Sequence, residues 1–209
     1  MHAAPAFPQL ETTRLHMREI VESDAENLFA IHGDPELMRW FGTEPLKDIS
    51  ASHDLVKIFA GWRTQANPGT RWGIEAKNQQ GLIGTCGLFR WDRNYRKCVI
   101  GYELASHVHG NGYMREALVA AIEWGFENMS INRIEAQIHP LNSASIKLIA
   151  SLRFVEEGHF REAAYWSGQH HDMLQYALLK REWRSSSDGG QQSNQNLESA
   201  AQTGEMNEK

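Results

Sequence analysis

Residues 99–129 constrain the fold more than any other part of the chain. A short apolar segment leads into the turn HGNGY, and apolar residues then recur at steps of three and four as far as Met129. This spacing is typical of an amphipathic helix, so the stretch predicts a strand, a tight turn and a long helix. Gly110 and Gly112 leave backbone N–H groups unobstructed at the helix start, where unpaired donors and the helix dipole attract anions. The stretch therefore predicts a phosphate-binding turn.

Two common phosphate-binding motifs do not fit this turn. The dinucleotide motif needs a third glycine, and this chain has Arg115 in that place. The P-loop needs Gly-Lys-Ser/Thr, whereas Gly112 is followed by Tyr113 and Met114. On spacing alone, a plain turn followed by a helix cap explains the glycines equally well.

The segment GYELASHVHGNGYMREA resembles motif A of the GNAT superfamily of N-acetyltransferases, in particular the ribosomal-protein N-terminal acetyltransferases of the RimJ and RimL type. The stretch TTRLHMREI is similar to the opening strand of that family. The resemblance implies that acetyl-CoA is the acetyl donor and that backbone amides of the turn bind its pyrophosphate. The family pattern opens with Gln or Arg, where this chain has His107. The residues that match the amide positions are Val108, His109, Gly110, Asn111, Gly112 and Tyr113.

A second segment, HPLNSASIKLIASLRF, resembles the family pattern that ends in Gly-Phe, with Arg153 in place of the Gly. The resemblance implies that Asn142 contacts the pantetheine part of acetyl-CoA. It also implies that Ser145 lies near the thioester sulfur, where its hydroxyl could protonate the departing thiolate. The oxyanion is expected to meet a backbone N–H of Leu104 or Ala105. Without the resemblance, Asn142 is explained as a helix cap with Ser145 in the first turn.

Acetyl transfer to an amine is helped by a base, because an α-amino group titrates near about 8 and a lysine near about 10.4. Glu103 is the first candidate for this role. Period-2 geometry places Glu103 on the same strand face as Gly101 and Ala105, which leave room for an amine or a water molecule. We expect partial burial to raise the pKa of Glu103 into a useful range. The alternative is a solvated glutamate or a partner for an arginine.

Histidines provide further candidates for chemistry. His107 and His109 have ring pKa values suited to a base, but each is better explained as a loop side chain near the cofactor. His170, His171 and Asp172 look like metal ligands, yet adjacent residues of a strand point to opposite faces. We therefore predict no metal site.

Composition narrows the classes of partner. The 209 residues carry a net charge of −5 without a basic block, which disfavours nucleic acid as a direct substrate and permits a basic protein acceptor. Cys86 and Cys98 lack metal or disulfide spacing, so we expect two buried, reduced thiols. No apolar run reaches the roughly 20 residues of a membrane span, and the N-terminus lacks signal-peptide features. The expected location is the cytoplasm, and the expected oligomeric state is a monomer or a homodimer.

The order of elements predicts an α+β fold. It is a GNAT-type mixed, mostly antiparallel central sheet, flanked by helices and splayed between the fourth and fifth strands. We expect a flexible N-terminus at 1–9, one GNAT acetyltransferase domain at 10–184 and a disordered polar tail at 185–209. Predicted strands cover 12–20, 71–77, 82–91, 97–105, 133–139, 154–160 and 172–179, the last two flanking a polar loop at 167–171. Predicted helices follow Asp24 and Asp34 and cover 49–63, 114–129 and 142–152.

Three functions remain open at this stage. The first is an acetyl-CoA-dependent N-acetyltransferase acting by direct attack in a ternary complex on a protein N-terminus, such as that of a ribosomal protein. The second is the same chemistry on a small amine: an amino acid, a polyamine, an antibiotic or a peptide toxin. The third is a non-catalytic acyl-CoA sensor, which the joint presence of Glu103, Asn142 and Ser145 disfavours.

Overall fold

The computed structural model describes residues 6–183. The predicted disordered tail at 185–209 and the first five residues of the predicted flexible N-terminus lie outside the described residues.

Within the described residues, eight strands form one sheet in the order β1-β2-β3-β4-β5-β6-β8-β7. Neighbouring strands are antiparallel except β5 and β6, which run parallel. The strands are β1 (Leu10–Glu11), β2 (Leu15–Glu19), β3 (Thr70–Ala76), β4 (Leu82–Asp92), β5 (Lys97–Leu104), β6 (Arg133–Ile138), β7 (Val155–Trp166) and β8 (Gln169–Leu179). The helices that flank them include α1 (Ala25–His32), α2 (Pro35–Met38), α3 (Ile49–Gly61), α4 (Tyr113–Asn128) and α5 (Ser143–Ser151). The predicted α+β arrangement is confirmed.

Two strand predictions differ from the structure. The two-residue strand β1 was not predicted, because such a short segment has no readable alternation. The hairpin of β7 and β8 is longer than predicted and turns at Ser167 and Gly168, whose φ angles are 49° and 75°. Two consecutive residues with positive φ form the tight turn that matches strand twist, so the predicted polar loop is mostly strand.

The sheet is covered on both faces. The long helix α4 packs on one face through the fully buried Leu118 and Ile122. The helices α1 and α3 cover the other face at the β2–β5 side, with Leu28 and Phe59 in the core. Both cysteines are free and buried, as predicted, and burial raises the pKa of the Cys86 thiol to about 12.

The parallel strands β5 and β6 separate partway along their length. They pair only where Lys97, Cys98 and Val99 face 133–135, although β5 continues to Leu104 and β6 to Ile138. The predicted splay between these strands is confirmed, and it opens a gap at their C-terminal ends. The turn before α4 and the start of α5 both lie at this end of the sheet.

Candidate active site

The turn that leads from β5 into α4 has the backbone that the glycines predict. Gly110 and Gly112 have φ angles of 78° and 76°, in the left-handed region that glycine adopts without strain. Gly112 is the N-cap of α4. A Cβ atom built on Gly110 would meet nothing within 4 Å. The turn is therefore open to a ligand on that side.

The amides of this turn divide into two groups. The Val108 N–H donates to the Ala105 carbonyl at 3.2 Å, and the His109 N–H donates to the Ser106 carbonyl at 3.1 Å. These two predicted phosphate donors are thus already used inside the turn, and the prediction is corrected for them. The remaining amides, at 110–113, make no hydrogen bond within the described part of the chain. The N–H groups that are free to bind an anion are therefore those from Gly110 to Tyr113, and we call this run the cradle.

Arg14 lies beside this cradle, and sequence reasoning missed it. Its guanidinium donates to the Asn111 carbonyl at 2.9 Å and to the Glu116 carboxylate at 2.6 Å. It also lies 4.6 Å from the centre of the Tyr113 ring. About half of the Arg14 side chain is exposed, although its charge is paired with Glu116. No local pattern could reveal this contact, since the two segments are almost a hundred residues apart.

Two predicted oxyanion donors lie at the end of β5. The Ala105 N–H donates to the Ile83 carbonyl at 2.8 Å, so Ala105 is corrected as a donor. Backbone groups alternate in direction along an antiparallel pair, and the Leu104 N–H consequently points away from β4, into the gap. The Leu104 carbonyl accepts a hydrogen bond from His109 Nε2 at 2.9 Å. Leu104 therefore remains the predicted donor.

The other side of the gap is the start of α5. Asn142 is the N-cap of this helix, and its side-chain oxygen accepts from the Ser145 N–H at 3.1 Å. In the structure, the side-chain oxygen of Asn142 therefore caps α5. The contact of Asn142 with the cofactor stays a prediction.

A family model described as an acetyltransferase (GNAT) domain matches residues 14–155. The chain is a GNAT acetyltransferase. This acetyltransferase is 34% identical over 174 residues to the uncharacterized N-acetyltransferase YoaA of Bacillus subtilis (strain 168), a match that covers 83% of this chain and 98% of that relative. It is 27% identical over 187 residues to the ribosomal protein uS5-alanine N-acetyltransferase of Escherichia coli (strain K12), covering 84% of this chain and 92% of that enzyme.

A solved structure shares the fold. The spermidine N-acetyltransferase from Vibrio cholerae, crystallised with CoA and spermine, matches with a TM-score of 0.71 at 20% identity and covers 82% of this chain and 99% of that one. At this identity the likeness shows the fold alone. Acetyl-CoA is the acetyl donor of the GNAT acetyltransferases, and the residues present fit it: the amides of the cradle are unpaired, and Gly110 is open.

Glu103 lies in a buried cluster that the sequence did not reveal. Its carboxylate accepts hydrogen bonds from Arg71, from Thr85 and, at 3.0 Å, from His32 Nε2. The Arg71 guanidinium lies 4.7 Å from the centre of the Phe59 ring. Burial acts to raise the pKa of Glu103, but the Arg71 charge and the hydrogen bonds of His32 and Thr85 outweigh it. The pKa of Glu103 lies below its usual range, so the expectation of a raised pKa was wrong.

The side chain of Glu103 defines one face of the sheet, which we call the acceptor face. Val99 and Glu103 point to this face from β5, as Glu135, Gln137 and His139 do from β6 and the residue after it. Two depressions lie on this face, in the part of the sheet that α1 and α3 do not cover. One is about 290 Å³ and is lined in part by Val99, Glu135, Gln137 and Gln175. The other is about 270 Å³ and is lined by Trp40, Trp166 and His171 among others.

Two histidines contact each other on this face, and one of them, His171, lines the second depression. The Leu141 N–H donates to His139 Nδ1 at 3.1 Å, so the proton of the neutral ring is on Nε2. That nitrogen lies 3.4 Å from His171 Nδ1, and His171 Nε2 donates to the Trp166 carbonyl at 3.2 Å. Trp40 stacks on His139 at 4.2 Å between ring centres. Each ring therefore has a fixed tautomer.

The histidines of β8 do not form a metal site. His171 faces His139, while the Asp172 carboxylate accepts from His159 Nε2 at 2.8 Å. Among residues 6–183, no group of three or more His, Cys, Asp or Glu side chains is placed to hold a metal ion. In the same residues, no helix is long and apolar enough to cross a membrane.

Proposed function

We propose that this acetyltransferase transfers the acetyl group of acetyl-CoA to the N-terminal amine of a protein, such as a ribosomal protein, in the cytoplasm. The proposal agrees with the relative named ribosomal protein uS5-alanine N-acetyltransferase, which aligns along 84% of this chain.

The observation that carries the proposal is the state of Glu103. Its carboxylate is occupied by three donors and its pKa is lowered, which makes it a weak base. An acceptor amine that is already partly neutral near pH 7 should then react faster than one that is almost fully protonated. An α-amino group titrates near about 8, so roughly a tenth is neutral at pH 7, whereas a lysine near about 10.4 is almost fully charged. The chemistry of the site thus favours an N-terminal amine over a lysine or a polyamine.

The acceptor face supports a polypeptide acceptor. The two depressions follow one another along β8, because Gln175 lines the first, His171 lines the second, and both residues point to the same face of the strand. The charges in the first depression are balanced, with Arg90 and Lys97 against Asp92 and Glu135. A run of two depressions suits an extended chain better than a compact small amine.

We assign the roles as follows. The cradle from Gly110 to Tyr113, with Arg14, holds the pyrophosphate. When bound, acetyl-CoA supplies an activated acetyl group as a thioester. The Leu104 N–H donates to the carbonyl oxygen as negative charge develops there. Glu103 positions Arg71 and His32 in the wall of the acceptor face, and we do not assign it the proton transfer. Asn142 and Ser145 bound the gap on the α5 side.

A substrate panel tests the acceptor. Release of free CoA thiol is followed with peptides that begin with the N-terminal sequences of ribosomal proteins, with Ala, Ser or Thr first. The same peptides with acetylated N-termini and an internal lysine are the matched controls, and spermidine represents the polyamines. We expect turnover only with the free N-terminal peptides. Turnover with spermidine or with the blocked lysine peptides would contradict the proposal.

A further inference from the structure

The hairpin tip that joins β4 to β5 concentrates basic residues. Residues 90–97 read RWDRNYRK, with four cations and one carboxylate. The chain as a whole carries a net charge of −5, so this segment, which we call the basic tip, is locally of the opposite sign. It lies at the end of the sheet away from the gap, because β5 begins at Lys97 and reaches the gap at Leu104. A partner bound at the basic tip would leave the cradle unobstructed.

The three arginines of the basic tip have no carboxylate partner among residues 6–183. Arg90, Arg93 and Arg96 take part in none of the ion pairs in that part of the chain. Lys97 differs from them, because its Nζ lies 3.2 Å from the Glu135 carboxylate. The arginine charges are therefore available to an anion from outside the chain.

The basic tip also presents an aromatic ring to solvent. Oδ1 of Asp92 accepts from the backbone N–H groups of Asn94 and Tyr95, both at 2.9 Å, which fixes the turn. Tyr95 is 78% exposed. The Arg93 guanidinium lies 4.2 Å from the centre of the Trp91 ring, so that ring already contacts a cation. Tyr95 is consequently the ring of the tip that is open to a flat partner.

Two of the arginines occupy backbone positions that favour glycine. Arg90 and Arg96 have φ angles of 53° and 50°. Arg90 lies where the register of β4 and β5 shifts, between Phe89 and Asp92, and Arg96 directly precedes β5. A residue with a side chain is strained at such angles, whereas glycine is not. Glycine would serve the fold better at both positions, so the arginine side chains must contribute something other than stability.

We propose that the basic tip binds a single-stranded nucleic acid, with its three arginines on the phosphates and Tyr95 stacked on a base. Arginine suits phosphate because its guanidinium donates two parallel hydrogen bonds. A tyrosine ring stacks on any base that is not paired. An anionic membrane explains the tip less well, because residues 90–97 include no aliphatic side chain to insert among lipids. The inference goes beyond the proposed function and does not depend on it, since the nucleic acid is a docking partner and not a substrate.

The salt dependence of binding tests the arginines. Fluorescence anisotropy follows a short, unstructured, labelled RNA and a DNA of the same sequence, without acetyl-CoA or acceptor. We expect the wild type to bind at least one of them, and the tighter ligand identifies the backbone that the tip prefers. Contacts to three phosphates should weaken binding about 20-fold between about 50 and about 200 mM salt.

A double variant removes two of these contacts. Arg93→Gln with Arg96→Gln should bind more weakly at low salt and lose only about 3-fold more over the same salt range. Arg90 is kept because it also lines the first depression of the acceptor face. The matched control is Lys57→Gln, which removes a cation that is 69% exposed on α3. It should keep the wild-type salt dependence.

Substitutions of Tyr95 test the stacking separately from the charge. Tyr95→Ala should weaken binding about 5-fold or more, the usual effect of losing one stacked base, without changing the salt dependence. Tyr95→Phe keeps the ring and should bind as the wild type does. The matched control is Tyr165→Ala, because Tyr165 is 62% exposed on β7, away from the basic tip. Its affinity for the nucleic acid should be unchanged.

Stability provides a readout that a structural role would move the other way. Arg96→Gly relieves the strain at φ 50°, so it should raise the midpoint of urea unfolding while it weakens nucleic-acid binding. A lower midpoint with unchanged binding would show that the arginine serves the fold alone.

Three further results would overturn the inference. Failure of the wild type to bind either oligonucleotide at low salt would show that the tip is not a nucleic-acid site. Binding that Tyr95→Ala and the double arginine variant leave unchanged would place the nucleic acid on another surface. Binding to phosphatidylserine vesicles but to neither oligonucleotide would assign the tip to a membrane. None of these measurements involves acetyl transfer, so failure here is distinct from failure of the proposed function.

Discussion

The substitution Glu103→Gln should destabilise the protein strongly. Both Glu103 and Arg71 are buried, with side-chain exposures of 6% and 3%. The amide of Gln carries no charge, so the Arg71 guanidinium would stay buried without its counterion. The new NH₂ group would also face donors on Arg71, Thr85 or His32. Removing one partner of a buried ion pair costs about 3–5 kcal/mol.

This magnitude translates into a measurable melting shift. A domain of this size loses about 2–4 °C of Tm for each kcal/mol, so we expect Glu103→Gln to melt about 6–20 °C lower. Urea unfolding followed by circular dichroism gives the free energy of unfolding directly. The double variant Arg71→Met with Glu103→Gln should recover much of the loss, since no charge is left unpaired.

An exposed ion pair is the control for this experiment. Lys57 Nζ lies 3.1 Å from Asp54 Oδ1, and the two side chains are 69% and 72% exposed. Asp54→Asn should cost less than about 1 kcal/mol. A loss of that small size for Glu103→Gln, or no recovery in the double variant, would refute the assignment of Glu103 to a buried ion pair.

Three further predictions follow from other parts of the structure. Arg153 has a φ angle of 65° just after α5, at the position where glycine is favoured. Arg153→Gly should therefore raise the free energy of unfolding, measured by urea denaturation, by about 1 kcal/mol. A lower free energy of unfolding would show that the arginine side chain stabilises this turn. Burial and the neighbouring His171 lower the pKa of His139, although Asp172 acts to raise it. The unfolded chain therefore binds a proton more readily than the folded protein, so the free energy of unfolding should fall as the pH falls below about 6.5 and level off below the lowered pKa. His139→Gln should reduce this pH dependence. An unchanged pH profile in the variant would contradict the prediction. Arg14→Gln should weaken acetyl-CoA binding by about 3- to 10-fold at low salt. The effect should be smaller at high salt, because exposed charges are screened. Equal affinities of the variant and the wild type at low salt would show that Arg14 does not contact the phosphate.

The sequence predicted those features that depend on neighbouring residues. The helices around Leu118 and Ile149 follow from their 3.6-residue spacing, and the cradle follows from Gly110 and Gly112. The fold followed because the segment from 99 to 129 also resembles a known family motif. In each case the signal lies within about thirty residues of chain.

Contacts between distant segments could not be predicted in this way. The pKa of Glu103 depends on Arg71 and His32, which reach it from another strand and from α1. The approach of Arg14 to the cradle likewise joins two segments that are almost a hundred residues apart. The sequence shows which residues are capable of chemistry, and the tertiary contacts decide which of them are free to perform it.

The proposed function requires an acceptor that is an N-terminal amine and loses its own proton without a strong base from the enzyme. The pH dependence of kcat/KM tests it, with two peptides whose N-terminal amines have different pKa values. We predict that kcat/KM rises with pH and levels off at the pKa of each peptide's own amine, so that the two profiles differ by the difference between those values. A profile that levels off at the same pH for both peptides would show that a group on the enzyme takes the proton, and would contradict the claim.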